Sequence, residues 1–240
     1  MCYNLSMNIF TSVGIVFLST LISSFLMLIP GIFANFFHYA SGKYSRGKAD
    51  RLSIFYILGA ESMVVLSFFL IATIIWVFPL PLLASRIVKW IIAGVLLATG
   101  LSFLFLYFRK GHGSQLFISR STAKYFLDKP RHIKTTSDAF VFGLVSGIPE
   151  LPFTIPLYIA SILAIFTLTT SPFSYATIIM VYSICTILPL FLIHHSFRAD
   201  TNLADYLKLR SKNKTFFRFF LSFIYLLIAI LIVLPEIISL

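Results

Sequence analysis

Residues 139–166 read AFVFGLVSGIPELPFTIPLYIASILAIF, and the only charged side chain in the stretch is Glu150. About 20 apolar residues in helical form cross the roughly 30 Å of a bilayer's hydrocarbon, so the segment is long enough to span. Its composition is unusual for a plain span, because Gly143, Gly147, Pro149, Pro152 and Pro156 fall close together. Proline removes a backbone donor and clashes with the preceding turn. The spacing therefore predicts a broken helix with Glu150 inside the break. Interrupted backbone survives at membrane depth only when protein shields it or it lines a watery cavity. This one stretch predicts an all-α membrane protein with a non-helical point in its interior.

Five further stretches are apolar enough to span, at 9–37, 54–78, 87–108, 175–194 and 216–234, which makes six with 139–166. Composition agrees. Of 240 residues 59% are hydrophobic and 11% charged, against roughly a quarter charged in soluble domains. Mean hydropathy is +0.96, and the 27 phenylalanines suit a surface that needs no polar coat. The length predicts one membrane domain, 1–240, with a first half at about 8–110, a second at about 138–240 and a linker at about 111–137. The N-terminal stretch MCYNLSMNIFTSVGIVFLST has no Lys or Arg before its apolar run and no clear small-x-small cleavage site. It predicts a retained first helix rather than a removed signal.

The net charge of +11 suggests nucleic acid in a soluble chain, but here the charge falls between spans. All of the 19 basic residues except Arg86 and Lys89 follow the first, third or fifth span. The positive-inside rule makes those connections cytoplasmic and puts both termini outside a multi-pass cell membrane protein. The bilayer is then the principal partner, and nucleic acid is excluded. Within the linker, GSQLFISRSTAKYFLDKP at 113–130 predicts a helix on the membrane surface, with Leu116, Phe117, Phe126 and Leu127 near one face. The two cysteines, Cys2 and Cys185, have no metal-type spacing. No nucleophile–base set, phosphate loop or metal spacing points to an enzyme or to a cofactor.

Candidate site residues come from polarity at depth. Glu150 stands about 18 Å beyond Asp138 at helical rise, and Glu61 about 15 Å beyond Arg51. Both depths are near the midplane, where charged groups face a bundle interior or an ion path. Thr154 follows Glu150 by one turn. Pro30-Gly31 predicts a bend in the first span, with Asn35 beyond it as a further polar candidate. Pro30, Gly147, Pro149, Pro152 and Pro156 are the candidate hinges. The bland alternative for each glutamate is a neutral side chain hydrogen-bonded to nearby backbone. His194 and His195 end the fifth span as interfacial residues, and Glu236 lies past the sixth, at the outer surface.

Each set of three spans begins with a proline-bent helix, and an odd number of spans inverts the second set. That pattern predicts a 3+3 inverted repeat with a midplane site, as in many secondary transporters. SFLMLIPG at 24–31, AFVFGLVSGIPELPFTIP at 139–156 and VYSICTILPLFLI at 181–193 together resemble the cytochrome c biogenesis and thiol-reductant-conducting membrane proteins (the CcdA/DsbD type) of the lysine-exporter superfamily. The resemblance implies a Pro-Cys-x-x-Pro motif in the fourth helix. Here both prolines stand, at Pro152 and Pro156, with Phe153 where the redox cysteine would be, and thiol exchange needs a thiolate. The expectation is a membrane transporter or exporter of a small cationic or zwitterionic solute. A non-transporting scaffold or assembly protein, or a degenerate redox conductor, is the alternative.

Overall fold

The computed structural model describes residues 9–26, 28–77, 85–105, 120–168, 172–198 and 212–238. Its helices are α1 (Ile9–Phe25), α2 (Leu28–Lys43), α3 (Arg46–Val77), α4 (Arg86–Phe105), α5 (Arg120–Asp128), α6 (Thr136–Ser146), α7 (Leu151–Leu168), α8 (Pro172–Arg198) and α9 (Lys214–Ile238). There is no strand among the described residues. Six helical stretches are long and apolar enough to cross a membrane, at Ile9–Lys43, Arg46–Ile75, Arg86–Phe105, Thr136–Phe166, Tyr175–Ser196 and Phe219–Ile237. The chain is an all-α polytopic membrane protein. Large apolar side chains such as Phe69, Val77, Leu70 and Met180 lie exposed on its perimeter, where hydrocarbon is the solvent.

The second span begins eight residues earlier than its hydropathy predicts, because α3 already includes Lys48, Asp50 and Arg51. Helical backbone bonding does not stop where apolarity stops, and charged side chains on the extra turns reach the interface.

Both predicted interruptions exist, and that of the fourth span is tighter than its prolines suggested. In the first span α1 ends at Phe25 and α2 starts at Leu28, so Pro30 sits in the first turn of α2. There its missing N–H is no loss, since the first helical amides have no intrahelical acceptor. In the fourth span one 3-10 turn, Ile148–Glu150, separates α6 from α7, with Pro149 inside it. Pro152 again occupies a first turn, and Pro156 lies within α7 without ending it.

Association of helices in lipid cannot draw on the hydrophobic effect and rests on close packing and hydrogen bonds. The α3–α6 pair shows how. A Cβ on Gly59 would be driven into the carbonyl of Phe140, and one on Gly143 into the carbonyl of Tyr56. The two backbones touch at a crossing that only glycine permits. Gly147, one turn beyond Gly143, faces the side chain of Met63 in ordinary right-handed conformation (φ −78°). Its lack of a side chain serves this approach and no special dihedral. Alongside, the Tyr56 hydroxyl donates to Ser146 Oγ at 2.9 Å, and its ring packs with Phe33, Phe36 and Phe142.

The second close pair is α4 with α9, where Gly100 accommodates Tyr225. Tyr225 stacks on Phe103 and donates through its hydroxyl to the Phe153 carbonyl at 2.8 Å. Lys89 and Arg86 at the start of α4 both pair with Glu236 near the end of α9, Lys89 at 2.5 Å. At the other face the basic ends gather. Lys43 donates to the Arg131 carbonyl, Tyr44 to the Ile133 carbonyl, and Arg131 to the Tyr39 hydroxyl while lying over its ring. These contacts dock the 3-10 turn Lys129–His132 on α2. Thr135 and Asp138 then start α6 with a reciprocal capping box.

The linker helix α5 is amphipathic as predicted, but its neighbouring rings part company. Phe126 is buried against Phe142 while Leu127 is exposed, since adjacent residues on a helix point about 100° apart. Leu116 and Phe117 lie outside the described residues.

Candidate functional site

Three clusters of buried side chains fill the bundle. One joins α1, α4, α7 and α9, and a second joins α2, α3 and α6 with Phe126 and Leu190. A third joins α3, α7 and α8 around Phe68, Tyr158 and Tyr182. Where they meet there is a void of about 40 Å³, room for roughly three waters. Both helix interruptions open on it. Ser23, Ser24 and Leu26 reach it from the end of α1, and Ile29 and Pro30 from the start of α2. Across from them stand Gly147, Glu150 at the end of the 3-10 turn, and Thr154 and Tyr158 of α7. Glu61, Val64 and Ser67 of α3 and Thr186 and Leu190 of α8 complete the wall.

Glu150 is 4% exposed. Its Oε1 accepts the backbone N–H of Ile29 at 3.1 Å. Ile29 is the second residue of α2, so the carboxyl of one interrupted span caps the helix that begins inside the other. A carboxylate is favoured there twice, by the free amide and by the positive end of the helix dipole. The bond is the backbone contact that the bland alternative anticipated, made across the bundle instead of locally. Thr154 Oγ1 in turn reaches the Glu150 carbonyl at 3.3 Å.

Glu61 sits near the middle of the 32-residue α3 and is half-buried. Ser183 and Thr186 on α8 are hydrogen-bonding neighbours of its carboxyl. Its Oε1 is nevertheless buried without a hydrogen-bond partner.

The structure thus places Glu150, Glu61 and Thr154 around one void, with Pro30 and Gly147 in its wall. Asn35 is elsewhere, half-buried on α2, with its Nδ2 enclosed and unpartnered. Pro149 faces an outer groove beside Phe126, Pro152 is exposed, and Pro156 is buried within α7. Phe153 packs on Phe103 with ring centroids 5.0 Å apart, and Cys185 is a free, exposed thiol on α8. Cys2 lies outside the described residues. His194 is buried near Asp50, with Nε2 4.0 Å from the carboxylate, and its ring meets Phe37 edge-on. No group of three or more His, Cys, Asp and Glu is placed to hold a metal among the described residues.

Sequence reasoning missed Ser67, Tyr158 and Thr186. Spacing held a signal for two of them. Ala60, Met63, Val64 and Ser67 follow one helical face beside Glu61, and Thr154 and Tyr158 continue a four-residue step from Glu150. Comparison of the chain with protein families, with curated proteins and with solved structures finds no match.

Proposed function

We propose that the chain is a secondary transporter or exporter of a small cationic solute, with Glu61 and Glu150 as its midplane carboxylates. The observation that carries this reading is the void between two helix interruptions, with Glu150 of one interruption and Glu61 of the neighbouring α3 in its wall. Interrupted helices at a midplane cavity are where transporters hold ions and substrates. At about 40 Å³ the void suits an ion and its waters rather than an amino-acid-sized zwitterion, which would need a more open conformation.

Helix packing supports an inverted repeat. Exchanging α1, α2, α3 and α4 for α6, α7, α8 and α9 turns the α3–α6 contact into α8–α1, α2–α8 into α7–α3 and α1–α7 into α6–α2, and each of these is a packed pair. The α3–α8 and α4–α9 contacts map onto themselves. The match is one of which helices pack and not of extent. The α1–α7 and α3–α6 contacts are far more extensive than their counterparts, and those of α1 with α9 and α4 with α7 have none of similar size. The basic ends that gather at one face are the cytoplasmic side in this reading, with both termini outside a cell (inner) membrane. The likeness to thiol-conducting proteins is one of architecture, since Phe153 fills the cysteine's place and the exposed Cys185 has no partner thiol among the described residues.

A second reading, a non-transporting scaffold, draws on the Glu150–Ile29 bond, which gives Glu150 a purely structural task. Flux in reconstituted vesicles separates the two. Wild-type protein should move a small cation down an imposed gradient, and Glu61→Gln should reduce flux at least tenfold while membrane abundance holds. Glu150→Gln keeps an acceptor for Ile29 but no charge. Wild-type flux with an unchanged pH profile in both Gln variants would remove the carboxylates from the mechanism and put the scaffold first.

A further inference from the structure

We propose that the void is a binding site for one sodium-sized monovalent cation, with Glu61 as its charged ligand. This deepens the transport reading by naming the ion, and it stands on how the oxygens around the void are used. Glu150 offers Oε1 to the Ile29 amide, which ties it to the cap of α2. Glu61 Oε1 lies in the same enclosure, sealed from solvent and unpartnered. A buried acceptor left unsatisfied costs about 1–3 kcal/mol, more when it is charged. A cation beside it removes that cost directly.

The neighbouring hydroxyls are oriented to accept. Ser24 Oγ spends its proton on the Thr20 or Cys185 carbonyl, both at 2.9 Å. Thr154 Oγ1 turns to the carbonyls of Glu150 and Leu151, and Thr186 Oγ1, 2.8 Å from that of Ser183, is also within reach of the Glu61 carboxyl. A hydroxyl has one proton and two lone pairs, so each of these oxygens still has a lone pair to give to the void. The resulting set is oxygen throughout, with no imidazole or thiol in the wall. Oxygen ligands select hard cations. Magnesium dehydrates reluctantly and keeps several waters, for which about 40 Å³ leaves little room. One carboxylate with Oε1 still open balances one positive charge. Sodium with one or two retained waters matches size, charge and ligand type together.

The test reads binding without flux. Full-length protein in lipid nanodiscs is unfolded thermally at fixed pH in rising NaCl, with choline chloride keeping ionic strength constant. A ligand that binds only the folded state raises the midpoint in proportion to the logarithm of its concentration once saturating. Wild type should show that sodium-dependent rise, Glu61→Gln should lose it, and Thr186→Val should need at least tenfold more sodium for the same rise. Should Glu61→Gln fail to fold, Thr186→Val and Glu61→Asp, which keeps the charge on a shorter arm, decide by the same tenfold criterion. No sodium-specific rise, a rise that survives in the variants, or a midpoint that responds to pH alone overturns the site. Sodium binding without flux would keep the site and remove the transporter. Flux without sodium binding would do the reverse.

Discussion

Glu61 and Glu150 carry the same carboxyl at similar depth, yet their surroundings give them different work. One caps a helix across the bundle and the other keeps an oxygen open to a void. Their place in the bundle interior was readable in the sequence, because a charge inside an apolar span is expensive enough to face away from lipid. Their division of labour was not readable, since it depends on which backbone amide arrives opposite Glu150. Thr186 and Ser67 escaped notice because hydroxyls inside membrane helices commonly bond their own preceding turn and then resemble inert packing. Asn35 stands apart from this void, because polarity at depth marks a candidate without saying which void it faces. The cysteines supply a test at this scale. With Phe153 stacked on Phe103 and the Cys185 side chain exposed, replacing Cys2 and Cys185 together by Ser should leave flux within about twofold of wild type. Lost flux at normal membrane abundance would restore thiol chemistry to the mechanism.

At the level of elements, proline counting predicted that the fourth span breaks with Glu150 inside the break, and overstated how far the break extends. Of its three prolines only Pro149 lies in the 3-10 turn, while Pro152 and Pro156 belong to α7. Local sequence marks where a helix loses a bond, but neighbouring helices decide whether that loss is tolerated. The Tyr225 hydroxyl on the Phe153 carbonyl is one such neighbour. Gly143 counted in the sequence only as part of the interrupted stretch, and its larger task is the α3–α6 contact, which no single-chain pattern pairs with Gly59. Replacing Gly143 by Leu pushes a side chain into the Tyr56 carbonyl, against backbone that cannot give way. Overpacking of this kind costs about 1–3 kcal/mol or more. Gly143→Leu should lower the thermal midpoint and the membrane abundance well below those of Gly94→Leu, whose added Cβ meets nothing. Equal behaviour of the two variants would show that the crossing is not tight.

For the molecule as a whole, hydropathy and charge located all six spans, because transfer into hydrocarbon is decided by composition more than by detail. The exceptions are informative. Arg86 and Lys89 break the basic pattern, and both pair with Glu236, so the opposite face holds two cations beside an anion already there. Neither partner could be matched from sequence, as almost 150 residues separate them. The orientation is open to direct measurement. A reporter fused after Leu240 should read outside and one placed at Ser114 cytoplasmic, and the reverse result at both places would refute the charge argument.

The contact between Gly59 and Gly143 has a mechanical consequence. Two helices meeting through side chains can slide, because flexible groups give way as the ridges pass. Here each main chain is seated against the carbonyl of the other, and axial travel in either direction brings a Cβ-bearing residue into that carbonyl. Rotation about the crossing point moves neither glycine out of register. The α3–α6 contact therefore resists sliding and leaves rotation about the crossing as the relative movement of these two helices that keeps both glycines seated.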